Sequence, residues 1–299
     1  MPNRPLIMGI FMTTITLIGP GAIGLSVGIA LIDAGHNVTF VSRQPFTAIT
    51  LTAPDGTVRT QPIKVVAAKD APVADWVLLC VKAHQVASAA DALQACVGSQ
   101  TRVAVLQNGV EHRENVAPYV SVPIVPVMVD VPSSKLGTGA ASWRSPARMA
   151  AQNDADGRAF CDLFTGTFIA TTVSDDLLTT MWRKLCVNAG GGAVLCLTGK
   201  PMKVFHEPGV ADVARAILTE CVAVGRAAGA KLDDSVIEEQ MQRWLAAGPE
   251  ETNSMLDDFR AGRPTEWNAR NGVLVRKGRE YGVATPVSDL LVPLLSAQK

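Results

Sequence analysis

The 299-residue sequence has no net charge, with 27 Lys and Arg balanced by 27 Asp and Glu. Its charged fraction of 18% is below the roughly 25% usual for soluble proteins. The basic surface that a nucleic-acid binder needs is therefore missing. No two of the six cysteines (Cys80, Cys96, Cys161, Cys186, Cys196, Cys221) form a CxxC arrangement, which leaves them as small apolar residues of a reducing compartment. His36, His84, His112 and His206 are scattered without metal-ligand spacing, so no metal site is expected. No uninterrupted apolar run reaches the roughly 20 residues of a membrane-spanning helix. The apolar stretch at residues 6–18 follows Arg4 and runs into a glycine cluster, not a small-residue cleavage site, and reads as a tail plus a first strand. Internal repeats and low-complexity segments are also missing. These absences lead us to expect a cytoplasmic protein with no nucleic-acid or membrane partner.

The length favours two domains, and a hydrophobic content of 48% excludes a disordered chain. The two halves follow different patterns. Short, β-branched apolar runs at 15–18, 38–41, 76–81, 102–106 and 123–129 are separated by glycine and proline, with helical composition at 22–34 and 87–96. This is the strand–helix alternation of a parallel sheet covered on both faces. Beyond about residue 175 the apolar period becomes helical. Val210, Val213, Ala214, Ile217, Cys221, Val224 and Ala228 form one stripe. A helix after Asp234-Ser235 turns Ile237, Met241 and Trp244-Leu245 inward. Another carries Met255, Leu256 and Phe259, and a last one starts at Thr285-Pro286, a cap followed by a first-turn proline. The expected division is 1–175 and 176–299.

The first strand ends in Gly19-Pro20-Gly21-Ala22-Ile23-Gly24, a GxGxxG between strand and helix. The first glycine permits the tight turn, the second lets backbone approach a pyrophosphate, and the third lets helix and strand pack closely. The helix then offers its free N–H groups to the phosphates. The second strand ends at Ser42-Arg43, 19 residues beyond Gly24, where an NAD-binding fold places a ribose-gripping acid. Ser42 and Arg43 instead suit a 2′-phosphate, which favours NADP. The alternative for Arg43 is a solvated loop arginine.

Two more strand ends carry polar groups, Lys82 after 76–81 and Asn108 in Gln107-Asn108-Gly109. At the carboxyl edge of the sheet Lys82 can approach the cofactor phosphates or the reacting region, and Asn108 can hydrogen-bond the cofactor ribose or the substrate. The alternatives are an exposed lysine and an Asn-Gly turn. In the helical half, Lys184, Asn188 and Gly192 fall at i, i+4 and i+8 on one helix face. By itself Lys184 reads as a surface residue.

Residues 19–24, Arg43, Val81-Lys82-Ala83-His84-Gln85, Gln107-Asn108-Gly109, 184–188, Ser254-Met255-Leu256-Asp257-Asp258 and Thr265-Glu266 through Asn271-Gly272 resemble, in order and spacing, the ketopantoate reductase (2-dehydropantoate 2-reductase) family. The resemblance runs from Ile15 to about Leu295. It implies an N-terminal Rossmann domain and an all-helical, 6-phosphogluconate dehydrogenase-like C-terminal domain, with NADPH-dependent reduction of a small 2-keto acid between them. It further implies that Lys184 is the general acid and that Glu266 orients the reacting oxygen. Ser254 would contact the substrate carboxylate, Asn108 and Asn188 would position the substrate, and Lys82 would lie beside the nicotinamide. A homodimer is one expected assembly and a monomer the other.

The residue chemistry is consistent with these roles. Hydride arriving at a ketone carbon places negative charge on its oxygen, and a nearby ammonium stabilises that charge and supplies a proton. A glutamate near Lys184 would favour its charged form. For Glu266 the alternative is a first-turn acid complementing a helix dipole.

Two departures stand out. The family commonly has asparagine one turn beyond Asn188, where this chain has Gly192. It often has asparagine three residues before the serine, where this chain has Glu251. The rival readings are a related 2-hydroxyacid or β-hydroxyacid dehydrogenase and a non-catalytic NADP sensor. The sensor does not require Lys184 and Glu266 to converge.

Overall fold

The computed structural model describes residues 12–298, so the start of the 6–18 apolar stretch lies outside the described residues. The strands are β1 (Thr14–Ile18), β2 (Asn37–Val41), β3 (Ala48–Thr52), β4 (Val58–Pro62), β5 (Lys64–Val66), β6 (Trp76–Leu79), β7 (Arg102–Val105), β8 (Ile124–Pro126), β9 (Met128–Asp130), β10 (Ser133–Gly137), β11 (Ala140–Trp143), β12 (Arg148–Gln152) and β13 (Ala170–Ser174). The helices are α1 (Ala22–Asp33), α2 (Ala90–Cys96), α3 (His112–Val116), α4 (Ala155–Asp162), α5 (Leu177–Thr198), α6 (Val210–Ala227), α7 (Ser235–Ala246), α8 (Ser254–Arg260), α9 (Val273–Tyr281) and α10 (Pro286–Ala297).

A six-stranded, all-parallel sheet in the order β5-β2-β1-β6-β7-β8 forms the frame of the N-terminal half. Its central strands are apolar on both faces because both faces are covered: Leu17, Phe40 and Leu78 join one buried cluster, while Ile18, Val41 and Leu79 join another. The sequence pattern anticipated five of these strands. It did not anticipate β5, the four-stranded sheet β10-β11-β3-β4 or the three-stranded sheet β13-β12-β9. These strands are short or largely polar, and β4 is mostly exposed along its length. Pairing with a neighbour, not their own composition, makes them strands. The run at 123–129 is also split. β8 extends the parallel sheet, and after Val127 the chain crosses to pair β9 with β12, which places Asp130 at the edge of the helical half.

The helical half is organised around the 22-residue α5. Asp176 caps its first turn by accepting from the Thr179 N–H at 3.0 Å, and Gly199 ends it in a left-handed conformation. Three glycines in a helix interior cost about 1 kcal/mol each relative to alanine. Here Gly190 and Gly191 make room for Trp244, since a Cβ at Gly190 would lie 2.5 Å from its ring. That ring stacks on Phe205 with centroids 4.9 Å apart.

The expected stripe on α6 buries Ala214, Ile217, Cys221 and Val224, whereas Val213 is 41% exposed. On α7, Met241 and Trp244 are buried but Leu245 is exposed, and Val236 and Gln240 point inward. The inward arc is thus rotated from the one expected. α10 begins at Thr285-Pro286 as expected, yet the Thr285 hydroxyl does not cap it. The cap is the buried carboxylate of Glu220 on α6, which accepts from Val287 N at 2.6 Å and from Ser288 N at 2.9 Å.

Candidate active site

The carboxyl ends of β1, β2, β6 and β7 open onto the cleft between the two halves. At the first of them, Gly19 adopts φ +93°, and a Cβ there would strike Val81 at 2.6 Å, so only glycine fits. A Cβ on Gly24 would lie 2.4 Å from the Gly19 carbonyl oxygen, which shows how closely α1 is seated. Gly21 differs, because a Cβ there would meet nothing within 4 Å. That open space faces the start of α1, which has no side-chain cap. An uncapped helix end with room in front of it fits a pyrophosphate.

At the end of β2, the Ser42 hydroxyl accepts from Gln44 N at 3.2 Å. Arg43 is exposed and has no ion pair or side-chain hydrogen bond among the described residues. A free guanidinium beside the ribose end of such a cradle fits a 2′-phosphate. Residues 19–24 thus offer free N–H groups at one strand end, and Ser42 and Arg43 a hydroxyl and a free guanidinium at the next.

At the end of β6, Lys82 reaches the helical half. Its ammonium donates to Asp258 Oδ2 at 2.5 Å and to the Pro264 carbonyl at 2.8 Å, tying the end of β6 to the helical half. Beside it, His84 is held below its ordinary pKa, mainly by desolvation and also by the charge of Lys82.

Asn108 lies beyond the end of β7 on a well-braced loop. Gln107 donates to the Val81 carbonyl at 2.8 Å, and the buried His112 donates from Nε2 to the Gln107 carbonyl at 2.9 Å. Burial pushes the His112 pKa down to about 4. The Asn108 side chain crosses the cleft, with Nδ2 donating to Glu266 Oε2 at 2.8 Å and Oδ1 accepting from Asn188 Nδ2 at 3.1 Å. Asn188 is one turn along α5 from Lys184.

Lys184 does not pair with Glu266. Its ammonium is held by Asp130 at the end of β9. Glu266 is 7% exposed and pairs with Arg270, which also donates to the Ser254 hydroxyl at 2.8 Å. Glu266 precedes α9 and Ser254 is the first residue of α8, where Asn253 supplies the cap by accepting from Met255 and Leu256 N–H. Glu251 does not enter the cleft, since its carboxylate turns back to accept from Gly248 N at 2.8 Å.

The structure therefore brings Asn188, Asn108, Glu266 and, through Arg270, Ser254 into one polar network, while Lys184 lies one turn of α5 from Asn188 and is held separately by Asp130. Sequence reasoning missed Asp130, Arg270 and the bracing role of His112. The signal for Asp130 was its place at the end of an apolar strand run. Arg270 had none.

Among the described residues, no cluster of His, Cys, Asp and Glu could hold a metal ion, and no helix is long and apolar enough to cross a membrane. All six cysteines are unpaired.

The family model "Ketopantoate reductase PanE/ApbA" matches residues 15–155, and "Ketopantoate reductase PanE/ApbA C terminal" matches residues 176–299. A 2-dehydropantoate 2-reductase of Caulobacter vibrioides is 39% identical, with 96% of this chain and 99% of that protein covered. A PanE/ApbA family ketopantoate reductase from Ralstonia eutropha superposes with TM-score 0.85 at 27% identity, covering 95% of this chain and 97% of that one. A D-mandelate dehydrogenase solved with NADH and anilino(oxo)acetate shares the fold, with TM-score 0.86 at 23% identity and coverage of 95% and 97%. With its parallel-sheet half, its helical half and matches along most of its length, this chain belongs to the ketopantoate reductase family.

Proposed function

We propose that this protein reduces a small 2-keto acid, ketopantoate, to its 2-hydroxy acid with NADPH. The observation that carries the reading is the Asn108 bridge. A side chain from the parallel-sheet half meets Asn188 and Glu266 of the helical half in one network, and Asn188 lies one turn of α5 from Lys184. A sensor that only bound NADP would have no use for this convergence.

The bound dihydronicotinamide supplies the hydride. Lys184, oriented by Asp130, donates a proton to the ketone oxygen as negative charge develops there. Glu266, fixed by Asn108 and Arg270, orients that oxygen. Asn108 and Asn188 set the substrate's height in the cleft. The Ser254 hydroxyl accepts from Arg270, so its own proton remains available for a substrate carboxylate oxygen. Arg43 and Ser42 would hold the 2′-phosphate, and residues 19–24 would hold the pyrophosphate. Lys82 acts as a strut closing the cleft beside the cofactor.

The same reading divides the chain at 1–175 and 176–299. It sets the protein in the cytoplasm, where unpaired thiols are stable. It includes self-association through the helical half, where Leu290 and Leu294 of α10 are 73% and 56% exposed. The test is NADPH oxidation against a panel including ketopantoate, ketoisovalerate and oxaloacetate. Highest kcat/KM with ketopantoate is the expected result, preference for another keto acid reassigns the substrate, and oxidation with none overturns the reading.

A further inference from the structure

Arg270 is a buried guanidinium with most of its hydrogen-bonding capacity unused. It is 2% exposed. Nη2 alone makes its contacts, donating to Ser254 Oγ at 2.8 Å and to Glu266 Oε2 at 3.2 Å. Nε is buried with no partner, and Nη1 makes no hydrogen bond among the described residues. A buried guanidinium normally fills its donor fork, often by gripping a carboxylate with two parallel bonds. Here Glu266 is met through one nitrogen and is shared with Asn108.

The chain makes specific room for this group. A Cβ at Gly192 would lie 3.6 Å from Arg270 Nη1, 3.7 Å from its Cδ and 3.2 Å from Met255 Sδ. Any side chain longer than alanine at 192 would compete with the guanidinium for the same volume. Arg270 itself belongs to the wide π-type turn at Asn268–Gly272, a distortion that redirects a side chain relative to a regular helix. Missing bulk at one position and a buried cation at another thus occupy one corner of the network, two turns of α5 from Lys184. The other cations of the cleft are engaged, Lys184 with Asp130 and Lys82 with Asp258.

Building on the functional reading above, we infer that Arg270 receives the substrate's carboxylate through Nε and Nη1, and that Gly192 leaves the guanidinium the room to sit beside α5. Arg270 then determines specificity for an anionic over a neutral 2-keto compound. Ser254 completes the receptor with its hydroxyl proton. The amide expected at position 192 is replaced by a full charge from position 270.

The test compares 2-ketoisovalerate with its uncharged methyl ester in NADPH oxidation by wild type, Arg270→Met and Arg270→Lys. NADPH affinity is measured in parallel by fluorescence. Met keeps the length and loses the charge, whereas Lys keeps the charge and loses the fork. For Arg270→Met, kcat/KM for the acid is expected to fall by roughly 10- to 100-fold, mainly through KM, as loss of a charge-assisted pair implies. The ester also loses the Arg270 support of Glu266 and should fall, but by at least about tenfold less than the acid, and NADPH affinity should hold. Arg270→Lys should lie between. If Arg270→Met fails to fold, the acid-to-ester ratio of Arg270→Lys carries the test. Acid and ester falling by one common factor, or an unchanged ratio, overturns the inference alone. Wild type that binds NADPH and reduces neither compound nor ketopantoate overturns the functional reading, and this inference with it.

Discussion

Replacing Lys184 by alanine should separate chemistry from stability. The side chain is 25% exposed and its partner Asp130 is 38% exposed. Removing the ammonium therefore leaves a carboxylate that water can reach. Exposed ion pairs contribute about 0–1 kcal/mol, and alanine is the best helix former for this position in α5. The thermal midpoint of Lys184→Ala should lie within about 4 °C of wild type. The nucleotide contacts proposed at residues 19–24 and Arg43 lie in the other half of the molecule, so NADPH affinity should be retained. Turnover should not be. Loss of a positioned proton donor costs roughly 10²- to 10⁴-fold, equivalent to about 3–5 kcal/mol of barrier. Lys184→Arg should stay slow, because guanidinium holds its proton too tightly to act as the acid. The assay follows NADPH absorbance at saturating ketopantoate, with fluorescence titration of NADPH and a melting curve on the same samples. Turnover within a few-fold of wild type would remove Lys184 from the mechanism. Equal loss of turnover and NADPH binding would show that the lysine serves the cofactor instead.

Arg43→Ala should weaken NADPH by about 10- to 100-fold and leave NADH nearly unchanged, and equal effects in a paired titration would refute the 2′-phosphate role. Glu220→Gln should lower stability by about 1–3 kcal/mol, because one buried carboxylate satisfies two N–H groups of α10 as well as the Ser288 hydroxyl. An unchanged thermal midpoint would contradict the cap. His112 has its pKa pushed down to about 4 by burial, against about 6.5 when unfolded. Below pH 6.5 the unfolded chain therefore takes up a proton that the folded chain refuses, and stability present at neutral pH is lost as pH falls toward 4. At pH 5 the loss is about 2 kcal/mol. His112→Asn should flatten that part of the stability-against-pH curve, and an unaltered slope in denaturant melts between pH 7 and pH 5 would refute it.

Much of the site was legible because its signals are local. The GxGxxG, Ser42-Arg43 and Asn108 each lie at a strand end, and the strands announce themselves through runs of β-branched residues buried on both faces. The corrections arise where a second element decides. Thr285 looked like a cap, but Glu220 lies close enough to outcompete its hydroxyl. The apolar arc of α7 reads inward at Leu245, yet packing against its neighbours turned Gln240 in instead.

What the linear order determined by itself is the covalently local part: the glycine turn, the strand–helix alternation that covers it, and the helix face shared by Lys184 and Asn188. These follow from backbone geometry over a few neighbouring residues. The polar partners required the folded chain. Lys184 meets Asp130 across 54 positions, Asn108 meets Glu266 across 158 and Lys82 meets Asp258 across 176. Charges attract according to distance in space, and only the packing of the helices on the sheet makes those distances short. The same packing put Arg270 where Gly192 leaves room, because the volume of a missing side chain exists only once its neighbours are in place.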